Sequence, residues 1–362
     1  MAVHNKNLAP QPQRTANAAK QAQQADVGGT TIGTSGVTAV PGSITANDSV
    51  QPLSGATAAV PASATPESMR DDVAESSTRA RWRMPNWFNV LWSNGKARIG
   101  LILLLLFVLV ALLAPILAPY DPYDTSFLAA APPDGEHLLG TTQAGQDVLS
   151  QLLWGTRVSL LVGVLAGGLA TIIALVIGMT AGYMQGIVDD VLSFFINLAL
   201  VIPTLPLMIA LAAYAPVRGL SLTILVIGIT GWAWGARMKR AQVISLRARE
   251  YITSARFAGE RPMRIIFREV MPNMMSFVVM SFIGAANGAI GAEAGLAFLG
   301  LGDPNTISWG TMLYWANNGG AMLTGQWAWL AAPTLMLSLI TLSLTLINFG
   351  VDALSNPHLR EE

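Results

Sequence analysis

Between residues 237 and 268 the chain gathers nine of its 21 Lys and Arg residues, and from 269 to 359 it has none. Inside that stretch, "EYITSARFAGERPMRIIFREVMPN" (residues 250–273) sets basic side chains among Ile, Phe, Met and Ala and interrupts them with Gly259, Pro262 and Pro272. Residues of these types recognise a surface; they make and break no bonds. Catalytic groupings are missing elsewhere too. Without Cys there is neither a disulfide nor a thiolate-bound metal. His4, His137 and His358 are too scattered for a metal site, and no HExxH, GxSxG or GxxxxGK[ST] pattern occurs. The expectation is a protein that is not an enzyme and holds no cofactor. Any ATP it uses is hydrolysed by another chain.

The elements around this stretch are those of a membrane protein. Of 362 residues, 52% are hydrophobic and 12% charged, against about 25% charged in an average soluble domain. Residues 1–80 are Ala, Gln, Thr, Ser, Gly and Pro with few large apolar side chains. They are expected to form a disordered cytoplasmic tail, and they lack the apolar core of a signal peptide. Residues 81–97 mix Arg and Trp ("RARWRMPNWFNVLW" covers 79–92), as an interfacial segment would. The remainder, 98–356, holds six apolar runs at about 99–120, 158–182, 191–216, 220–238, 274–298 and 327–351. A bilayer core takes about 20 apolar residues of helix, and in lipid the backbone must satisfy its own hydrogen bonds. The predicted fold is therefore all-α with six transmembrane helices. The fourth run is short, and Arg237 and Lys239 are expected to extend it by snorkelling.

Glycines four apart (Gly163/Gly167, Gly178/Gly182, Gly231/Gly235, Gly284/Gly288, Gly291/Gly295) predict close helix packing in lipid. Nineteen of the 21 basic residues, all but Arg157 and Arg218, fall on one side of such a bundle if both termini are cytoplasmic, as the positive-inside rule requires. The basic stretch then lies in the cytoplasm between spans four and five. After Pro262, a favoured first-turn residue, Met263, Ile266, Phe267, Val270 and Met271 share one face of a helix. Before it, Ile252, Ala255 and Ala258 form a second, smaller face ending at Gly259. Two short helices joined at 259–262 are expected. Their shallow Ala/Gly face suits a protein groove better than lipid, which takes large apolar residues.

Residues 250–273 resemble the cytoplasmic "EAA" loop of binding-protein-dependent ABC transporter permeases, E-A-A-x3-G-x9-I-x-L-P. Ala255, Gly259 and Pro272 match, while Thr253, Ser254, Glu269 and Met271 depart. "HLLGTTQAGQDVLSQLLWGTRVSLLVG" (137–163), "EAGLAFLGLG" (293–302), "SWG" (308–310) and "NFGVDALSNPHLR" (348–360) resemble the oligopeptide/dipeptide branch in order. Gln146 and Gln151 stand where that branch has Arg, and Thr142 where it has Asp. On the third run Phe194 and Asn197 replace an Arg and an Asp together. The resemblance implies an importer in a prokaryotic plasma membrane. Two permeases, this one and a second, related one, form the pathway; cytoplasmic ABC ATPases power it, and an extracytoplasmic binding protein delivers the solute. It further implies that Ala255, Ala258, Gly259, Pro262 and Pro272 belong to the helix that couples to the ATPase, and that the solute is an oligopeptide or dipeptide. An oligosaccharide or other small solute is the alternative within the family.

Other residues carry weaker expectations. Glu293 is the one ionisable residue of the fifth run, and a bare charge in mid-membrane costs at least ~2.5 kcal/mol; it is read as a hydrogen-bonded structural acid, with gating as the rival role. Pro203 and Pro206 should kink the third span, placing Pro203 and Asn197 among pathway candidates. Asp147, Arg157, Trp309 and Trp315 are assigned to the external mouth, where Tyr314, Trp327 and Trp329 complete an aromatic belt or a stacking surface. A secondary carrier would need ion-coupling residues within its spans, and a lipid-bound scaffold would need no pathway. Neither a nucleic acid nor a metal is an expected partner; membrane lipid is.

Overall fold

The computed structural model describes Trp92, residues 94–216 and residues 218–355. The expected tail (1–80), most of the Arg/Trp segment (81–97) and the end of the closing motif (356–360) lie outside the described residues. The described residues form helices joined by irregular segments. Four helices are long and apolar enough to cross a membrane unbroken: α1 (Gly95–Leu117), α2 (Val148–Met184), α9 (Met275–Phe298) and α11 (Trp327–Ser355), the last crossing over Trp327–Val351. Between α2 and α9 lie α3 (Ile187–Val201), α4 (Thr204–Tyr214), α5 (Leu220–Thr230), α6 (Ala233–Arg247), α7 (Glu250–Phe257) and α8 (Pro262–Ile265); α10 (Trp309–Asn318) precedes α11. The α3–α4 pair bends by 84° and the α5–α6 pair by 41°, and counting each as one crossing makes six. The α3–α4 break falls at Ile202 and Pro203, beside the prolines expected to kink this span.

Helix α2 starts ten residues before the apolar run that announces it. Asp147 is its N-cap and is almost fully buried. One carboxylate oxygen accepts from the Ser150 backbone N–H and hydroxyl, both at 2.7 Å, and the other lies 2.9 Å from His137 Nδ1. The His137 ring in turn packs against Tyr120 and Phe127. Gly140 and Gly145 take positive φ in the preceding turns, where a Cβ would meet the carbonyls of Ala131 and Phe127 at 2.5 and 2.4 Å. Residues 118–147 thus form a small lobe that starts α2 outside the apolar region. At 37 residues, α2 is about 55 Å long, well beyond a ~30 Å hydrocarbon core.

The other helices pack along α2 through small residues. A Cβ at Gly167 would lie 2.6 Å from the Ala286 nitrogen of α9, and one at Gly178 would lie 2.5 Å from the Ala236 carbonyl of α6. Gly182 meets the Arg240 carbonyl at 2.7 Å, and Gly235 meets the Ala174 Cβ at 3.1 Å. In lipid, where burying an apolar side chain gains nothing against the acyl chains, such approach is what holds helices together. On α9 the expected role divides. Gly284, Gly288, Gly291 and Gly295 face open space within this chain. Away from α2, α1 is tied to α11 by Gly100, whose carbonyl accepts from Ser343 Oγ at 2.8 Å.

The candidate coupling surface and the cavities of the bundle

Helix α7 ends in a reverse bend built from local chemistry. Gly259 adopts φ +78, its N–H donates to the Arg256 carbonyl at 3.0 Å, and the Glu260 N–H reaches back to Ala255 at 3.2 Å. That hydrogen-bond pair closes a helix on a left-handed residue, a conformation that favours glycine. Pro262 then opens α8 at its first turn. Both helices and the joint at 259–262 match the sequence reading. The buried faces match in part: Ile266, Val270 and Met271 join the apolar cluster as expected. A π-helical turn over Ile266–Val270 widens the helix after α8, and the inward residues are Ile265, Ile266, Val270 and Met274. Met263 and Phe267, predicted to share the apolar face, are at least half exposed. Likewise Ile252 is fully buried against Val243, Leu246 and Ile265, with Ala255 packed on the same cluster, so the small face is split. Ala258 and Gly259 remain outside with Arg261 and Arg264, lining a shallow hollow. Pro272 is exposed at the entry to α9 and lies apart from that hollow.

This region sits at the Met184 end of α2: Met179 and Tyr183 share its apolar cluster. At the opposite end, the lobe and the segment between α9 and α11 enclose a cavity of about 610 Å³. Gln326 Nε2 donates to the Thr141 carbonyl at 2.8 Å, and Gln143 Nε2 donates to the Gly319 carbonyl, clamping the two segments together. Thr142, Gln146 and Gln151, the three uncharged departures from the external motif, all line this cavity. Gln151 donates to Gln146 at 2.8 Å, and Thr142 Oγ1 accepts from the Gln146 backbone at 3.1 Å. Losing all three charges together leaves none buried without a counter-ion, which would be costly.

Of Asp147, Arg157, Trp309 and Trp315, the structure brings Trp315 to this cavity, 47% exposed, and Trp329 of the aromatic set lines it too. Asp147 is a buried cap, as described above. Arg157 is exposed and stacks on Trp154 at 4.9 Å. Trp309 requires correction, because it is fully buried: its ring meets Phe107 edge-on at 5.7 Å, and its indole N–H donates to the Leu152 carbonyl at 3.3 Å. Gly155 makes room for it. An aromatic-rich loop read from sequence cannot separate rings that anchor the loop from rings that face water.

Glu293 is buried where α9 passes the start of α10. Ser308 Oγ donates to its Oε1 at 2.6 Å, while the Ser308 hydroxyl also caps α10 in a reciprocal pair with Thr311. The contacts are those of a tie between two helices. Glu293→Gln keeps an acceptor for Ser308 and is expected to leave solute uptake within about twofold of wild type. Glu293→Leu, which strands the serine hydroxyl at a cost of about 1–3 kcal/mol, is expected to lower folded yield. Uptake lost in the Gln variant with normal yield would assign Glu293 to gating instead.

A second cavity, about 520 Å³, lies within the bundle between α2, α4, α6 and α9. Thr204 and Met208, just past the α3–α4 break, line it, whereas Pro203, Asn197 and Glu293 do not. Asn197 is exposed beside Phe194 and Phe195. An ion pair in this half joins α3 to α6 instead: Arg240 holds Asp189 with two bonds of 2.6 and 2.7 Å. With the Arg240 side chain 32% exposed, this pair fixes geometry more than it adds stability. Next to it, Lys239 contradicts the snorkelling expectation. It is 0% exposed, and its Nζ donates to Ser281 Oγ of α9. Among the described residues no acid pairs with it. Sequence reasoning grouped Lys239 with the basic stretch because charge alone does not reveal which face of a helix a residue occupies.

Comparison with known proteins identifies the family. Residues 174–361 match the family described as binding-protein-dependent transport system inner membrane component, and residues 87–133 match the N-terminal TM domain of oligopeptide transport permease C. The oligopeptide transport system permease protein OppC of Bacillus subtilis is 32% identical over 272 residues, covering 74% of this chain and 88% of the relative. OppC of Mycobacterium tuberculosis is 37% identical over 248 residues, covering 67% and 84%. Among solved structures, the inward-facing MetNI methionine ABC transporter matches with a TM-score of 0.47 and 19% identity over 56% of this chain and 94% of that chain. With half of its length matching one family and more than two thirds of it aligned to a relative above 30% identity, the chain belongs to the binding-protein-dependent transport system inner membrane components.

Proposed function

We propose that the chain is the membrane-spanning permease subunit of an ATP-dependent importer of oligopeptides or dipeptides, supplying half of the translocation pathway. The relatives' names support the solute class. The observation that carries the mechanism is the bent, exposed hollow at Ala258, Gly259, Arg261 and Arg264, held on helices whose opposite faces are locked into the bundle. A surface so fixed transmits a push to α6 and α9 as a rigid body. Its partner is a cytoplasmic ATPase that hydrolyses the ATP, which puts the Met184 end of α2 and both termini in the cytoplasm. The lobe at 118–147 then faces an extracytoplasmic binding protein, and a second, related permease completes the pathway.

Tagging the full chain, extracting it gently from its native membrane and identifying co-purifying proteins by mass spectrometry tests this reading. A P-loop ATPase and a second six-span permease are expected. A chain that emerges alone, or only with lipid, would reopen the carrier and scaffold readings.

A further inference from the structure

The importer reading leaves one buried group without a role. Lys239 lies inside the bundle, yet its Nζ is close to the wall of the 520 Å³ cavity. Two residues that line this cavity, Gly235 and Ser281, are the evidence: Ser281 Oγ is the lysine's hydrogen-bond partner, and a Cβ built on Gly235 would stand 3.3 Å from Nζ and 3.6 Å from that hydroxyl. The wall at this point is a glycine with no side chain, the Ala174 Cβ packed 3.1 Å from the same built Cβ, and a hydroxyl already oriented by the amine. Elsewhere the named walls are Thr171, Thr204, Met208 and Trp232, which carry no charge. A primary amine held by a single hydroxyl keeps two further donor positions. Lys239 is fully buried, so an anionic oxygen reaches it only when Ala174 and Gly235 part; it then gains the cation and the serine hydroxyl together, in surroundings where charge-assisted hydrogen bonds are strong.

We propose that Lys239 and Ser281, reached past Gly235, form a carboxylate-recognising site in the wall of the intramembrane cavity, which takes the C-terminal carboxylate of a transported peptide. The proposal rests on the importer reading and adds to it a residue that selects the solute. Lys239 serves here as a binding residue; no bond is made or broken. Gly235 and Ala174 together separate the amine from the cavity, and a side chain at 235 would thicken that barrier.

The test uses the complete transporter with its own ATPase, partner permease and binding protein, assayed for initial uptake of trialanine and of trialanine C-terminal amide below saturation. The same binding protein serves every variant, so each variant-to-wild-type ratio isolates the permease. Lys239→Met is expected to lower trialanine uptake at least tenfold and to change amide uptake by less than twofold, with ATP hydrolysis by the assembled complex retained. Lys239→Arg should recover at least a third of trialanine uptake, and Ser281→Ala should lie between the two. Equal loss for both peptides, the pattern expected if Lys239 were paired with a lipid phosphate or an acid of the second permease, overturns the proposal. So does uptake unchanged in Lys239→Met. If wild type carries only the acid, the arginine variant decides, and failure equal to that of methionine refutes the site. Wild type that imports neither peptide refutes the peptide reading itself, and the site with it.

Discussion

Replacing Gly167 with leucine should leave no folded chain to extract, and replacing it with alanine should lower the melting temperature of the detergent-solubilised protein by several degrees. At Gly167 the obstacle to a new Cβ is backbone: the Ala286 nitrogen at 2.6 Å, its Cα at 2.7 Å and the Ala285 carbonyl carbon at 3.0 Å. Backbone in the middle of a packed helix cannot swing aside, so α2 and α9 must separate. Overpacking of this kind costs about 1–3 kcal/mol even for one methyl group. Gly163, one turn earlier, offers a graded comparison. A Cβ there meets the Ile290 side chain at 2.7 Å, which can change rotamer, so Gly163→Ala should be milder. Gly288→Ala, with nothing within 4 Å, should not destabilise the isolated chain; helix propensity alone favours alanine over glycine by about 1 kcal/mol. The check is a fluorescence-detected size-exclusion melt of the three alanine variants side by side. Identical curves would mean that α2 and α9 are not held by this contact.

The same four-residue spacing thus does two things in one chain, and the sequence does not separate them. Gly163/Gly167 and Gly178/Gly182 recur at the interval of Gly284/Gly288, yet the first pairs press on neighbouring helices and the last touches nothing in this chain. What could be read was whatever depends on the chain's own local physics. Apolar length located the crossings, because a hydrocarbon core demands it. Pro203 located the α3–α4 break, because it lacks the N–H that would continue the helix. Gly259 and Pro262 located the bend between α7 and α8 for similar reasons of backbone freedom. What depended on a distant partner was hidden. Trp309 is buried because Gly155, on another helix, leaves it room; Lys239 is buried because Ser281, 42 residues on, faces it. The π-helical turn at 266–270 breaks the regular helical spacing on which the predicted face rested, and Met263 and Phe267 are exposed. The early start of α2 escaped notice because Asp147, His137 and Ser150 are polar, and apolar length is blind to a capped polar turn.

Gly259→Trp should abolish uptake while leaving both membrane insertion and ATP hydrolysis by the complex in place. Two properties of Gly259 bear on this, and two variants separate them. Its φ of +78 strains any L side chain, by about 1–2 kcal/mol. Its surroundings, by contrast, are open, with nothing within 4 Å of a built Cβ. Alanine imposes the strain without bulk; tryptophan adds a large ring to the surface formed with Ala258, Arg261 and Arg264. Because Ile252, Ile265 and Ile266 fix the inner faces of the bend to the bundle, the ring cannot be accommodated by sinking inward. It must project outward, where the proposed ATPase would dock. The expected result in reconstituted transporter is at least a tenfold fall in uptake per ATP hydrolysed for tryptophan and less than a threefold fall for alanine. Normal transport by the tryptophan variant would remove Gly259 from the docking surface. Equal failure of both would show that the bend itself, rather than clearance at its tip, is what the ATPase requires, and Gly259→Asn, whose side chain tolerates the left-handed region, should then restore part of the activity.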